Sequence, residues 1–348
     1  MPLYLSVVST PLLIPAWAWV GFVLFICAML AVDLGVFSHK KEEAPTFKKA
    51  VAWSIVWISL AVAFSFLLSF WHGSETAELF VAGYILELAL SVDNLFIFVL
   101  VFAHFKIPAQ YQHRVLFWGI LGAVIMRALF ITVGVAAVDR FTILLPLFGL
   151  FLVFTGFKLI FTKDQGDSKG VAEGFVVRMI KKFVPLTPEL HGKAFYITQN
   201  GRRYFTPLFV ALIIVECTDL IFAIDSIPAV LGILPPDMSV EERRFIAFTS
   251  NIFAIMGLRS LYFAISGFME YFRFLKPALA FILVFIGVKM ILPWAATLSM
   301  TEGMVTSWMP ASFISGGKVH IPTQVSLMII SIALILGVVA SIIFPKRK

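Results

Sequence analysis

The chain has 348 residues, 60% of them hydrophobic and only 14% charged, with a formal net charge of +7 and a mean hydropathy of +0.98. Soluble domains carry about a quarter of charged residues, so this balance excludes soluble enzymes and nucleic-acid-binding domains and predicts an all-α polytopic membrane protein. Two cysteines, Cys27 and Cys217, both lie in apolar segments, which argues against a disulfide framework.

Nine apolar segments approach the roughly 20 residues that a spanning helix needs. They run over 15–37, 50–71, 77–103, 114–138, 141–162, 206–233, 245–268, 275–297 and 323–345. Nothing basic precedes the first and no small-residue cleavage site follows it, so it reads as a retained helix. Asp33, near its inner end, reads as interfacial. Basic residues alternate between loops. Lys40, Lys41, Lys48, Lys49, Lys106, Arg114, Arg178, Lys181, Lys182, Arg202, Arg203, Arg273, Lys276 and the terminal Lys346-Arg347-Lys348 fall on one side of a nine-span chain. That side is cytoplasmic by the positive-inside rule. The N-terminus is then periplasmic and the C-terminus cytoplasmic.

The third segment holds Glu87-Leu-Ala-Leu-Ser91-Val-Asp93-Asn94, and the sixth holds Glu216-Cys-Thr218-Asp219-Leu-Ile-Phe-Ala-Ile-Asp225-Ser226. An acid in the middle of a membrane helix costs about 3 kcal/mol on insertion scales unless it is paired, metal-bound or hydrated. The two stretches align. Glu87 with Asp219, Asp93 with Asp225, and Arg127 with Arg259 all keep one and the same offset in the numbering. Pro146 with Pro277, Gly156 with Gly287, and Lys158 with Lys289 keep an offset shorter by a single position, as one deletion between the copies would produce. A unit of three spans must reverse its orientation when it recurs, so two inverted three-helix repeats are predicted, the plan of many secondary transporters.

The chain therefore divides into two N-terminal helices (1–76), repeat 1 (77–162), a cytoplasmic loop (163–205), repeat 2 (206–297), and a periplasmic loop with the last helix (298–348). In the cytoplasmic loop, Val171, Phe175, Met179 and Phe183 recur at helical spacing among basic residues, predicting an amphipathic helix on the lipid surface. Phe195–Phe205 reads as a hairpin closed by Asn200-Gly201. Its role is either a solvated connector or a regulatory flap.

Five acids (Glu87, Asp93, Glu216, Asp219, Asp225) face two arginines, Arg127 and Arg259, an excess of three negative charges. That excess suits a divalent cation, protons or both. Carboxylate, amide and hydroxyl oxygens from these acids, Asn94 and Ser226 favour hard ions such as Mn²⁺, Mg²⁺ or Ca²⁺. Ser91, Thr218 and the arginines are expected around the ligands. The bland alternative is that the acids merely pair with the arginines and lock the bundle. Glu87 and Asp93 do not share a face of an ideal helix, so for both to meet one ligand either the helix unwinds locally or Asp93 faces another helix. The second copy poses the same choice, with Pro228 removing a backbone donor there. Lys158 and Lys289 are expected to snorkel. No phosphate-binding loop, Ser/His/Asp arrangement or zinc-protease motif is present, and a non-enzymatic protein is expected.

Leu86-Glu-Leu-Ala-Leu-Ser-Val-Asp-Asn-Leu95, together with Val215–Val230, resembles the TerC family and its Alx-like members. The similarity runs from Ala31-Val-Asp-Leu-Gly-Val36 to the last helix. It implies a multi-pass protein of the bacterial inner membrane, in the LysE-like transporter superfamily, that exports manganese. It also implies that the family's intramembrane acids correspond to Glu87, Asp93, Glu216, Asp219 and Asp225. Tellurite resistance, alkaline-pH response and metal supply to exported proteins are associated with other members. The expected partners are membrane lipids, Mn²⁺ as cargo, and protons. A membrane scaffold or metal-delivery factor is the alternative from a different class.

Overall fold

The computed structural model describes residues 14–38, 46–161, 179–180, 182, 184–199, 201–235, 238–266, 274–296, 314–315, 318–319 and 321–344. Among these, the side chains of 33–38, 93, 96, 314–315 and 318–319 lie outside the description, as do nearly all of the expected amphipathic helix and Asn200.

The order of helices is α1 (Ala16–Ser38), α2 (Phe47–His72), α3 (Ser74–His104), α4 (Ala109–Arg140) and α5 (Leu144–Phe161). After the hairpin β1 (Tyr196–Gln199) and β2 (Arg202–Phe205) come α6 (Pro207–Ile233), α7 (Val240–Met256), α8 (Leu258–Ile265), α9 (Leu275–Ala295), the short strands β3 (Ile314–Ser315) and β4 (Lys318–Val319), and α10 (Thr323–Ile343). Among the described residues, seven helices are long and apolar enough to span a membrane, and α7 with α8 makes an eighth. The chain is an all-α polytopic membrane protein. Each of the nine apolar segments falls on a helix, with α1 apolar over Ala16–Val32.

The seventh segment departs from the single continuous span expected at 245–268: α7 and α8 meet at Gly257 with a bend of 40°. The local sequence accounts for it. Thr249 and Ser250 turn their hydroxyls onto Phe245 O and Ala247 O, and Ser260 donates to Gly257 O at 2.9 Å. Back-bonded hydroxyls and glycine both weaken a helical ladder. Local unwinding, one of the two ways for the paired acids to meet a ligand, does not occur: α3 and α6 both run through their acidic motifs, and α6 also runs through Pro228.

Caps set the helix starts. Pro207 opens α6 in the first turn. Ser239 accepts from the Glu242 amide at 3.2 Å, the capping-box position ahead of α7. At Gly73, a φ of 92° lets the chain reverse directly from α2 into α3.

Helix α3 is central, packed against α2, α6, α7 and α10, while α4 packs on α6 and α7. Along α4, Arg127, Ile131, Val135 and Val138 are buried while Ile125, Leu129 and Val133 are exposed, a two-faced helix with its apolar back turned outward. Phe22, Phe64, Phe80, Phe245 and Phe253 form a cluster joining α1, α2, α3 and α7.

The most extensive helix contact is α5 on α9. A Cβ on Gly149 would lie 2.6 Å from Gly287 O, and one on Gly287 would lie 2.5 Å from Gly149 O. A Cβ on Gly156 would lie 2.7 Å from Val284 Cγ2, as one on Gly287 would lie 2.8 Å from Val153 Cγ2, an exchange of partners along the offset that relates Gly156 to Gly287. Only glycine allows backbones so close.

The hairpin is as expected, with Tyr196 opposite Phe205 and Gly201 at φ 74° in the turn. It is tied down. Thr206 donates to Ala194 O at 2.7 Å, Phe205 N donates to Pro185 O at 2.9 Å, and Arg114 of α4 lies 4.9 Å from the Phe195 ring. Between helices, Arg243 of α7 donates to Asp139 of α4 at 3.2 Å, and Tyr262 of α8 donates to Gln112 of α4 at 2.9 Å.

Candidate functional site

Four helices bring one polar group each to a common centre. Glu87 comes from α3, Arg127 from α4, Asp219 from α6 and Asn251 from α7, and all four are buried. Arg127 presents its guanidinium fork to Asp219, donating from Nη2 to Oδ1 at 2.9 Å and from Nε to Oδ2 at 3.3 Å. Its Nη1 donates to Glu87 Oε1 and, at 3.1 Å, to Asn251 Oδ1. Asn251 Nδ2 completes the ring by donating to Glu87 Oε2 at 2.9 Å. Two carboxylates and one guanidinium leave this cluster with one excess negative charge, held where little water screens it.

Arg127 was expected as a counter-ion, and it binds Glu87 and Asp219 directly. These two acids are equivalent positions of the repeat, and the fold brings them onto one arginine. To that extent the bundle-locking alternative describes Glu87 and Asp219. It does not describe the remaining acids. Glu216 lies against α4, where Gly122 leaves room for its carboxylate: a Cβ there would sit 2.6 Å from Oε2. Asp225 accepts from Thr155 of α5 at 3.5 Å, the outer limit of a hydrogen bond. The side chain of Asp93 lies outside the description. Arg259 is buried on α8 at 2% exposure, just past the bend.

Ser91, Asn94 and Ser226 are nearly fully buried, and among the described residues Ser91 Oγ, Asn94 Oδ1 and Ser226 Oγ have no hydrogen-bond partner. Buried polar atoms are nearly always satisfied, so each orphan asks for a water, an ion or another explanation. Asn94 and Ser226 are also equivalent in the repeat, and each follows an acid, Asp93 or Asp225. Thr218 is turned inward on its own helix, donating to Ile214 O at 2.7 Å. Among the described residues, no three His, Cys, Asp or Glu side chains cluster as a metal-holding group.

Asn251 and Thr155 were missed in the sequence. An amide inside Phe245–Ile255 is a signal in its own right, because polar side chains in apolar helices seek partners on other helices. The repeat comparison hid it, since the equivalent position of the first copy is Gly119. Lys289 donates to Ile233 O at 3.2 Å, satisfying a carbonyl at the end of α6.

Residues 72–348 match the model of the integral membrane protein TerC family, a stretch that contains all of these residues. The chain belongs to the TerC family. It is 44% identical over 312 residues to the uncharacterized membrane protein STKORF319 of Myxococcus xanthus, covering 88% of this chain and 94% of the relative. It is 41% identical over 294 residues to a protein of Photorhabdus laumondii provisionally named membrane-bound redox modulator Alx, covering 82% and 87%. The Alx of Escherichia coli K12 is 38% identical over 317 residues, covering 86% and 94%. No solved structure matches this TerC chain.

Proposed function

We propose that this protein is a secondary transporter that carries a hard divalent cation, manganese foremost, outward across the bacterial inner membrane. The observation that carries the reading is the pair of buried, unpartnered oxygens on Asn94 and Ser226, each next to an acid on a membrane helix. An amide, a hydroxyl and carboxylates make an oxygen-only donor set, which suits Mn²⁺, Mg²⁺ or Ca²⁺ and disfavours soft metals. Asp93, Asn94, Asp225 and Ser226 are the ligands in this reading. Glu216 is a further ligand or the carboxylate that exchanges protons. Glu87 and Asp219 join the cargo only as Arg127 releases them.

The exchange of glycine partners between α5 and α9 supports a two-fold relation between residues 77–162 and 206–297, as inverted repeats require. Charge distribution supports a periplasmic N-terminus and a cytoplasmic C-terminus. Moving a dication outward against about 100 mV, negative inside, costs about 4.6 kcal/mol. Inward movement of protons would supply that drive.

Purified protein in proteoliposomes loaded with a manganese-sensitive dye tests the proposal. Manganese flux in the wild type that vanishes in Asp225→Asn supports it. A well-folded wild type with no flux of any divalent ion rejects it in favour of a scaffold or metal-delivery role.

A further inference from the structure

Arg127 and Arg259 are equivalent in the repeat, as are Glu87 and Asp219, so the surroundings of the two arginines can be compared position by position. Around Arg127 the fourth member is Asn251, whose amide bridges the arginine and Glu87. The corresponding place beside Arg259 belongs to Gly119, which has no side chain to offer. There the structure holds a cavity of about 10 Å³, lined by Gly119, Asp219 and Arg259 with apolar neighbours that include Phe98 and Leu258. Exposure follows the same asymmetry. Asp219 and Arg259 retain 5% and 2%, whereas Glu87 and Arg127 have 0%.

A space of this size takes about one water, and a buried water stays where it finds about two to four polar partners. Asp219 and Arg259 are the two charged residues that line this space, one with carboxylate acceptors and the other with guanidinium donors. We propose that the cavity is a water site, in which one water bridges Asp219 and Arg259 as the Asn251 amide bridges Glu87 and Arg127. Only the consequence for transport rests on the carrier reading; the site itself does not. An amide fixed to α7 cannot leave, whereas a water can. Both acids are engaged through both oxygens, but Glu87 is shared between Arg127 and Asn251, which makes Asn251 its positioning residue, whereas among the described residues Asp219 is held by Arg127 alone. With a water as its second partner, Asp219 is the acid that can change partners, and so the one that lets go of Arg127.

Hydroxyl-radical footprinting of the protein in lipid nanodiscs tests the site, because radicals made from bound water mark the side chains beside it. Phe98 and Leu258 are expected to be modified faster than Phe80, a buried residue that does not line the cavity. Gly119→Asn should abolish that excess. Its Cβ would meet Val215 Cγ1 at 3.2 Å, so a methyl group must shift slightly. Gly119→Ala is the gentler plug if the asparagine variant does not fold. Equal modification of Phe98, Leu258 and Phe80 in the wild type overturns the water site, whatever the flux experiment gives. Manganese flux reads the other claim separately. Flux lost in a folded Gly119→Ala, with flux intact in the wild type, supports Asp219 as the mobile acid. Full flux in a variant that has lost the labelling overturns that role. A labelled wild type without flux removes the transport reading and leaves the water site standing.

Discussion

Replacing Arg127 by methionine keeps most of the side-chain volume and removes the only positive charge in a ring of four buried groups. The structure sets the size of the effect. Arg127 donates two hydrogen bonds to Asp219, one to Glu87 and one to Asn251. At the bilayer average of about 0.6 kcal/mol for a polar contact, four bonds amount to about 2.4 kcal/mol. The full cost is higher than that, because Glu87 and Asp219 become unpaired anions in a buried site. Breaking a buried ion pair from one side costs about 3–5 kcal/mol, and that is the expected loss for Arg127→Met. Reversible unfolding in mixed micelles, followed by helical circular dichroism, measures it. The reasoning also predicts a recovery: adding Glu87→Gln and Asp219→Asn removes both stranded charges, and the triple variant should be more stable than Arg127→Met alone. An Arg127→Met protein as stable as the wild type, or a triple variant no better than the single, would refute the account of the cluster.

Asn251→Leu should cost about 1.5–3 kcal/mol in the same assay, the range for a hydrogen bond to a charged group. Asp225→Asn is expected to leave membrane levels near normal and to abolish manganese tolerance in cells, since the hydrogen bond that Asp225 accepts from Thr155 is long and weak. Gly287→Leu should block the approach of α5 to α9, because its Cβ would already stand 2.5 Å from a carbonyl oxygen, and expression of folded protein should fall sharply. Manganese at about 100 times its dissociation constant should stabilise the wild type by about 2.7 kcal/mol and the Asp225→Asn variant by much less. Reporter fusions after Lys182 and at Lys318 should report opposite sides of the membrane. The same side for both would end the nine-span reading.

Hydrophobic runs of spanning length leave little freedom, and for that reason the helices were legible in the sequence. The acids were legible for the related reason that charge inside such a run is costly. Gly156 and Gly287 were legible only as matched positions, since nothing in a linear pattern says which helix they will touch, and Gly149 carried no signal. The bend at Gly257 was not legible. It depends on hydroxyls that fold back onto their own helix, and the same Ser and Thr types leave α3 and α6 straight. The choice of partners for the acids was also beyond the sequence. Two arginines and five acids allow many pairings, and packing gave Arg127 both Glu87 and Asp219, with Asn251 between.

The ring around Arg127 also has an order in time. Glu87 is 40 residues upstream of the arginine, so the α3–α4 hairpin enters the bilayer with a charge pair that is already neutral. Asp219 is 92 residues downstream and Asn251 is 124. At about 5–20 residues per second, a ribosome delivers Asp219 roughly 5–18 s after Arg127. Through that interval the arginine has only Glu87 to neutralise it. The two acids that look alike in the finished site are therefore unequal during synthesis. Glu87→Gln should strand Arg127 in the nascent chain and send the protein to quality-control proteases, whereas Asp219→Asn should pass insertion and fail, if at all, only once the bundle has closed.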